Sequence, residues 1–523
     1  MNPHGVCVQV EHASFGSTKG SGIQINDVVI AHGMLLAPLC LAKNDDENPI
    51  QKLGIVMKNI QSCTQSRNPR SIPIKFKVLT KKCLCLSKDG SGSIQEYCKP
   101  DSCSESVEDA RVCSLYTYGG IQDITNEICN WTDDNTDSTI TSLDIKLVDR
   151  ILPVFIILTV NKTPKCVGFE EILYTAYSAI RNVSLYPGLP LLIESTPFGN
   201  FSLVNSWSQG IVSKVIGSKS DGIITDARLV HGCEGAPIYS FEKGVKGPLV
   251  GIVIQTLSWC SGERIGFSLG LSAQHVLKDV LGLQTITDYI PFSKSKLEIS
   301  NSKVNMEDLS DAVVFVRCQH KWGSGVVIDA ASGLILTCSH IVDHAHDSVK
   351  VLCKNGNVKA RVMYASPPSS PYDLALLSVG RGMGLKQLEL ADTPPVLGEK
   401  VLTVGYPLST ESLVVANRTP TLTAGCVAKL SQRGGPIQTT CCTHSGVSGG
   451  ALLRPPRQLL GIVVSNLQCD KIIMSSFNFA TSVEHFRTPI HEYLIKKDPS
   501  CLQSLSVNNK GVKMEWALPD CKL

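Results

Sequence analysis

No stretch of the sequence comes near the roughly 20 consecutive apolar residues that a helix needs to cross a bilayer. The nearest, ILPVFIILTV at 151–160, follows Asp149 and Arg150 directly and reads as a buried strand. An excess of either charge is also missing. Lys and Arg number 49 against 46 for Asp and Glu, a formal balance of +3, so there is no electrostatic ground for a nucleic-acid or membrane partner. The first residues, MNPHGVCVQVEHASFG, have neither the basic start nor the apolar core of a secretory leader, and the expectation is a chain that stays inside the cell. Paired CxxC zinc spacings are absent; Cys83 with Cys85 and Cys98 with Cys103 form only a loose cluster, and no metal site is expected. The 21 cysteines among 523 residues fall well below the roughly 8–10% of a disulfide scaffold. Free thiols are expected, with Cys338 and Cys426 placed as small hydrophobes inside apolar motifs.

What is present is a globular composition, 43% hydrophobic and 18% charged, on a chain too long for one hydrophobic core. It also contains itself twice. KGSGIQINDVVIAHGMLLAPLC from Lys19 parallels KWGSGVVIDAASGLILTCSH from Lys321: Gly-Ser-Gly, an apolar strand, a turn ending in Gly33 or Gly333, and a second apolar strand. GLPLLIESTPFGN from Gly188 parallels LGEKVLTVGYPLST from Leu397, and SQGIVSKVIG from Ser208 parallels TAGCVAKLSQ from Thr423. HGCEGAPIYSFEKGVKGPLVGIVI from His231 then parallels HSGVSGGALLRPPRQLLGIVV from His444. Four segments in one order argue for duplication.

The first copy is the longer, and the excess is assigned to a polar, Cys-rich insertion at about 62–145 that lacks a clear period and is expected to be exposed. The polar stretch 292–310 is read as a linker. The domains expected are therefore 1–291, 311–498, and a tail at 499–523. Short strands bounded by Gly, Pro, Asn and Ser dominate both copies, with helical periodicity at 170–182, 272–283 and 483–497. The fold class expected is all-β with a few short helices.

Serine is a weak nucleophile at neutral pH, so amide hydrolysis by serine needs a base beside it, a carboxylate to orient the base, and donors for the oxyanion. The second copy holds these types in order: His340 in LTCSHIV after an apolar strand, Asp373 in YDLALLSV before another, and Ser448 in the Gly-rich turn of GVSGGALL. His444 offers itself as an alternative base, but a turn residue or pocket wall is the expected role. With DLAL, GYP, TAG and SGG followed by LLGIV, residues 311–480 resemble the trypsin fold and, within it, the HtrA (Deg) branch. The resemblance implies two packed six-stranded β-barrels with the triad in the cleft between them. It makes His340 the general base, Asp373 its orienting acid and Ser448 the nucleophile, with the N–H groups of Gly446 and Ser448 as oxyanion hole. The family has Asn or Asp where this chain has Val447, so the polar anchoring of that turn is missing. In the first copy Glu234 aligns with Ser448, and Cys40 falls near the His340 position, which points to a degenerate unit kept as scaffold or substrate guide.

The chain ends Cys521-Lys522-Leu523, the small-basic-leucine form of a peroxisomal address. A decayed copy, an intact copy and this ending together resemble a family of peroxisomal processing proteases. That resemblance implies a matrix endopeptidase without cofactor that removes amino-terminal targeting leaders. Its implied partners are 3-ketoacyl-CoA thiolase, acyl-CoA oxidase and the peroxisomal import receptor, and homo-oligomerisation is left open. It also implies cleavage after cysteine, and self-cleavage is expected in the supposed loop from Lys99 to Arg111, at the bond between Cys113 and Ser114, with Cys98 and Cys103 close by. Two alternatives compete: a binding scaffold for peroxisomal enzymes, and a secreted enzyme glycosylated at Asn130, Asn161, Asn182, Asn200 or Asn417. Deleting Cys521-Lys522-Leu523 is expected to move the protein to the cytosol without altering its activity in a lysate. Fluorescence microscopy in cells lacking the native protein tests this, and unchanged peroxisomal signal sinks it.

Overall fold

The computed structural model describes residues 3–41, 48–65, 72–83, 103–128, 142–160, 168–180, 183–242, 244–260, 263–283, 306–342, 349–353, 356–407, 419–431, 434–469, 472–506 and 509–516. Two compact units emerge, Met1–Ser258 with Phe267–Lys294, and Trp259–Gly266 with Ser295–Leu523.

The first unit opens with β1 (His4–His12), β2 (Gly16–Ile25), β3 (Val28–His32), β4 (Ile74–Cys83), β5 (Cys103–Thr117) and β6 (Val154–Thr159). They close into a barrel in the order β1-β2-β3-β6-β5-β4. Period-two alternation explains the closure. Val6, Val8 and Val10 of β1 and Ile74, Phe76 and Val78 of β4 send every second side chain into one core with Ile156 and Leu158. The helix Pro49–Gln65 adds Val56 and Ile60 to the same core. A second barrel follows: β7 (Pro190–Ser195), β8 (Ser206–Ile216), β9 (Gly222–Thr225), β10 (Pro237–Glu242), β11 (Val245–Cys260) and β12 (Glu263–Ser272), ordered β10-β11-β12-β9-β8-β7 and closed. Its core gathers Leu191, Ile193, Val212, Ile223 and Ile238.

The second unit repeats this wiring. Its first sheet contains β13 (Val313–Cys318), β14 (Lys321–Asp329), β15 (Leu334–Thr337), β16 (Val349–Cys353), β17 (Gly356–Lys359), β18 (Arg361–Ala365) and β19 (Ala375–Ser378), ordered β17-β16-β13-β14-β15-β19-β18. The second contains β20 (Glu389–Leu390), β21 (Lys400–Gly405), β22 (Thr421–Leu430), β23 (Ile437–Thr439), β24 (Ala451–Arg454), β25 (Gln458–Cys469) and β26 (Ile472–Ser482). Its order is β20-β25-β24-β21-β22-β23-β26, with β25 also pairing β26 to close the ring. With β17 and β20 set aside, all four assemblies run first-second-third-sixth-fifth-fourth. Both predicted hairpins form, β2 with β3 and β14 with β15. The turn of the second needs Gly333 at φ +66°, because a Cβ there would overlap the Gly380 carbonyl oxygen. The architecture is mostly β, two pairs of six-stranded barrels or half-barrels with few helices.

The expected helices appear as Phe169–Ile180, Ala273–Val280 and Val483–Lys496. The supposed insertion is different from expectation. Residues 74–83 and 103–117 are β4 and β5, integral strands of the first barrel, and Ile121–Ile128 and Ser142–Ile151 are helices. Polar sequence forms strand here because opposite charges face each other across the ribbon: Lys77 pairs Asp109 and Lys81 pairs Glu105. The end of the expected linker also folds, as part of the helix Met306–Ala312, and the expected tail contributes Pro499–Leu505 and Lys510–Trp516. Cys85, Cys98, Asn130, Asn161, Asn182, Asn417 and Cys521 to Leu523 lie outside the described residues.

The self-cleavage candidate therefore does not sit in a loop. Val112 pairs Leu158 and Ser114 pairs Ile157, which leaves Cys113 as the extra residue of a bulge in β5. A protease cleft binds its substrate extended and free of other pairing, so β5 must leave both neighbours before the Cys113–Ser114 bond can be cut. A fragment beginning at Ser114 is expected to accumulate faster in mild urea than in buffer, and never in Ser448→Ala protein, as read by intact-mass analysis. Equal rates in buffer and urea would contradict the strand barrier.

Candidate active site

β15 ends at Thr337, and one helical turn, Ser339–Val342, carries His340. Asp373 lies two residues before β19, in a loop closed by Ser366 N–H on the Leu374 carbonyl at 2.9 Å and Leu374 N–H on Ser366 Oγ at 3.0 Å. The two come together twice. Asp373 Oδ2 takes His340 Nδ1, and Asp373 Oδ1 accepts the His340 backbone N–H at 2.9 Å. Ser339 Oγ, donating to the Ser366 carbonyl at 2.8 Å, ties the histidine turn to the start of the acid's loop. The His340 side chain is 49% exposed.

Ser448 stands in the turn between β23 and β24. Val447 N–H to the His444 carbonyl (3.0 Å), Gly450 N–H to the Val447 carbonyl (2.7 Å) and Gly449 N–H to the Val463 carbonyl (2.8 Å) fix its shape. Gly446 has φ +96° and Gly449 φ +82°; side chains there would overlap the carbonyl oxygens of Tyr406 and Ser324. The N–H groups of Gly446 and Ser448 have no acceptor among the described residues. Ser448 Oγ donates to the Val464 carbonyl at 3.1 Å, and among the described residues it shares no hydrogen bond with His340. Catalytic hydrogen bonds of this kind are often unmade in unliganded sites and form only with substrate bound.

Val447, where the resembling family has Asn or Asp, is buried in the core formed by Val401, Val427, Leu452 and Leu460. Apolar packing anchors the turn instead of a side-chain hydrogen bond. His444 is buried beside Cys442, its Nε2 3.3 Å from the thiol sulphur, and burial pushes its pKa down to about 4. It is a buried, neutral residue, unsuited to act as base. Cys338 brings its sulphur within 4.8 Å of the donor atoms of His340 and Asp373, a grouping that could ligate a metal. Burial, and then the Asp373 charge, hold that thiol protonated, and it donates to the Val463 carbonyl at 3.3 Å.

Sequence reasoning missed Ser324. Its Oγ donates to the Gly446 carbonyl (2.7 Å) and accepts Tyr406 N–H (2.9 Å), while its own N–H donates to the Ser448 carbonyl (2.8 Å). The Gly-Ser-Gly shared by both copies was the available signal.

The first unit shows what replaces each catalytic type. Leu35 lies against Gly20 as Ile341 lies against Gly323, which puts Met34, not Cys40, at the His340 position. Cys40 points into a separate apolar cluster with Leu53 and Leu147. By strand register Val154 occupies the Asp373 position. Gly232 (φ +89°) and Gly235 (φ +90°) keep the turn, and Glu234 stands at its centre. Its Oε2 accepts Gly232 N–H at 2.7 Å, so the carboxylate fills the place where an oxyanion would bind, and Thr256 Oγ1 reaches Oε1 at 3.4 Å. Desolvation raises the Glu234 pKa above the usual carboxylate range. An acid with a raised folded pKa contributes stability fully present below its unfolded pKa and lost as pH rises through the folded one. Glu234→Gln keeps an acceptor for Gly232 without the charge. Its melting temperature is therefore expected to exceed wild type at about pH 7.5, with the gap closing towards about pH 4, while proteolysis is unchanged. A pH-independent gap in thermal melts would overturn this assignment.

Comparison with known proteins agrees with this geometry. The trypsin-like peptidase domain family matches residues 323–462. The peroxisomal leader peptide-processing protease of Homo sapiens is 29% identical over 363 residues, covering 63% of this chain and 60% of that protein. Its Mus musculus counterpart is 29% identical over 358 residues, with the same two shares. The periplasmic serine endoprotease DegP of Salmonella typhimurium is 32% identical over 157 residues, 28% of this chain and 30% of that one. The chain thus spans about 60% of the length of the processing proteases it matches. It carries a trypsin-like serine peptidase domain of the HtrA type and is a homologue of the peroxisomal leader peptide-processing proteases.

Proposed function

We propose that this chain is an endopeptidase of the peroxisomal matrix that removes targeting leaders and trims peroxisomal enzymes by limited proteolysis. The observation that carries the chemistry is the double grip of Asp373 on His340, at Nδ1 and at the backbone N–H. That grip fixes the tautomer with Nε2 free to accept a proton. Ser448 Oγ attacks the scissile carbonyl while its proton passes to His340 Nε2. The oxyanion is met by the N–H groups of Gly446 and Ser448, and His340 returns the proton to the leaving amine. Water then enters by the same base and releases the acyl group from Ser448. None of these steps requires a cofactor.

The substrates rest on resemblance. The relatives' names specify leader peptides and the peroxisome, and the processing family extends the proposal to 3-ketoacyl-CoA thiolase, acyl-CoA oxidase and self-cleavage. The first unit, with Met34, Val154 and Glu234 at the three catalytic positions, serves as a non-catalytic support. A fluorophosphonate probe tests the triad: wild type is expected to label at one site, Ser448→Ala not at all, and Asp373→Asn about 10⁴-fold more slowly. Equal labelling of wild type and Ser448→Ala would refute it.

A further inference from the structure

The loop that carries Asp373 is held from outside by chain that lies beyond the peptidase match at 323–462. Tyr372, the residue before the acid, is buried, and its ring stacks on His485 of the helix Val483–Lys496 with centroids 4.7 Å apart. Trp516, the last residue of the helix Lys510–Trp516, packs edge-to-face with the same ring, centroids 6.2 Å apart. Tyr372 OH (3.0 Å) and Trp516 Nε1 (3.3 Å) donate to one acceptor, the Gly434 carbonyl, so the two side chains are registered against a common point. The other end of the loop is held in the same way. Ser506 Oγ lies 2.8 Å from Tyr364 OH at the end of β18, and Ser370 Oγ reaches the Leu505 carbonyl at 3.5 Å. Leu502 and Leu505 are fully buried and seat this segment. Glu515, accepting Ser431 Oγ at 3.0 Å, pins the helix Lys510–Trp516 to the turn that carries Gly434.

The geometry points to Pro499–Leu505 and Lys510–Trp516 as a strap that positions the catalytic acid, with Trp516 as its principal positioning residue. This rests on the reading of Asp373 as the triad acid. The coupling is short. Ser370 Oγ accepts Tyr372 N–H at 3.3 Å, and Tyr372 adjoins Asp373, whose two oxygens set the ring and backbone of His340. Loss of the Trp516 edge frees Tyr372 on one face, and the carboxylate loses alignment with Nδ1 although no group touching substrate has changed. Aromatic edge contacts of this kind are directional, so ring identity matters more than bulk.

The test uses the full chain and the rate of fluorophosphonate acylation at Ser448, which reports the triad without a peptide substrate. Trp516→Ala is expected to slow acylation by about 10- to 100-fold, the usual consequence of a misplaced catalytic group, and to change the shape of its pH profile. It is still expected to reach full stoichiometry. Trp516→Phe, which keeps the ring edge, is expected to recover most of the rate. A wild-type rate and pH profile in Trp516→Ala would overturn the strap, as would a loss confined to the labelling end point, which marks general destabilisation. Asp373→Asn measured beside them separates the two readings. If it labels normally, the acid assignment fails; if it is slow while Trp516→Ala is normal, only the strap fails.

Discussion

One serine holds the catalytic turn in place. Ser324 lies on β14, in the first sheet of the second unit, yet its N–H, Oγ and carbonyl are all committed around the turn of the second sheet. The N–H bonds the Ser448 carbonyl, the hydroxyl bridges Gly446 and Tyr406, and the carbonyl accepts Thr337 Oγ1 at 2.7 Å while closing on Gly449. Each such bond contributes only about 1 kcal/mol net, but a buried partner left unmade costs about 1–3 kcal/mol. The node therefore works as a geometric constraint more than as a source of stability. With it in place, Gly446 keeps positive φ, two N–H groups remain available, and Ser448 is bonded through its carbonyl to β14 of the sheet that carries the histidine.

The hydroxyl bonds of this node recur at the turn that carries Glu234, while the backbone N–H bonds a different carbonyl of the turn. In the first unit Ser21 Oγ donates to the Gly232 carbonyl at 2.7 Å and accepts Thr196 N–H at 2.8 Å, and Ser21 N–H donates to the Gly232 carbonyl at 3.0 Å. These bonds tie the turn to β2, and the positions equivalent to His340, Asp373 and Ser448 hold Met34, Val154 and Glu234, two apolar residues and a carboxylate that accepts the Gly232 N–H.

Cysteine usage follows the same division between packing and chemistry. Twelve cysteines between Cys7 and Cys501 stand outside any disulfide, and most of them are buried. Cys338 is the instructive one: two residues from His340 and close to Asp373, it is kept protonated by burial and by that neighbouring charge, and so acts as a small hydrophobe with a weak donor. Val447 makes the complementary point. A position read as lacking its polar anchor is held by apolar contacts, because the core beneath it offers Val401, Val427 and Leu452.

The sequence alone determined the duplication, the two hairpins, three of the helices and the order His340, Asp373, Ser448, because each is written in local pattern: period-two or helical spacing, turn glycines and short motifs. The charge alternation that makes β4 and β5 a pair, KFKVLTKK against ESVEDAR, was also on the page, but it becomes a signal only once the two segments are known to be neighbours. Pairing over long separations is a tertiary decision. It turned a supposed loop into barrel strands, set Cys113 in a bulge, and fixed the register that puts Met34 rather than Cys40 at the position equivalent to His340. The role of Ser324 and the packing of Trp516 on Tyr372 belong to the same class. The Gly-Ser-Gly around Ser324 marks its segment but not its partner, and Trp516 has no distinctive local context; each acquires its meaning from a partner more than 100 residues away that only the folded chain brings within reach.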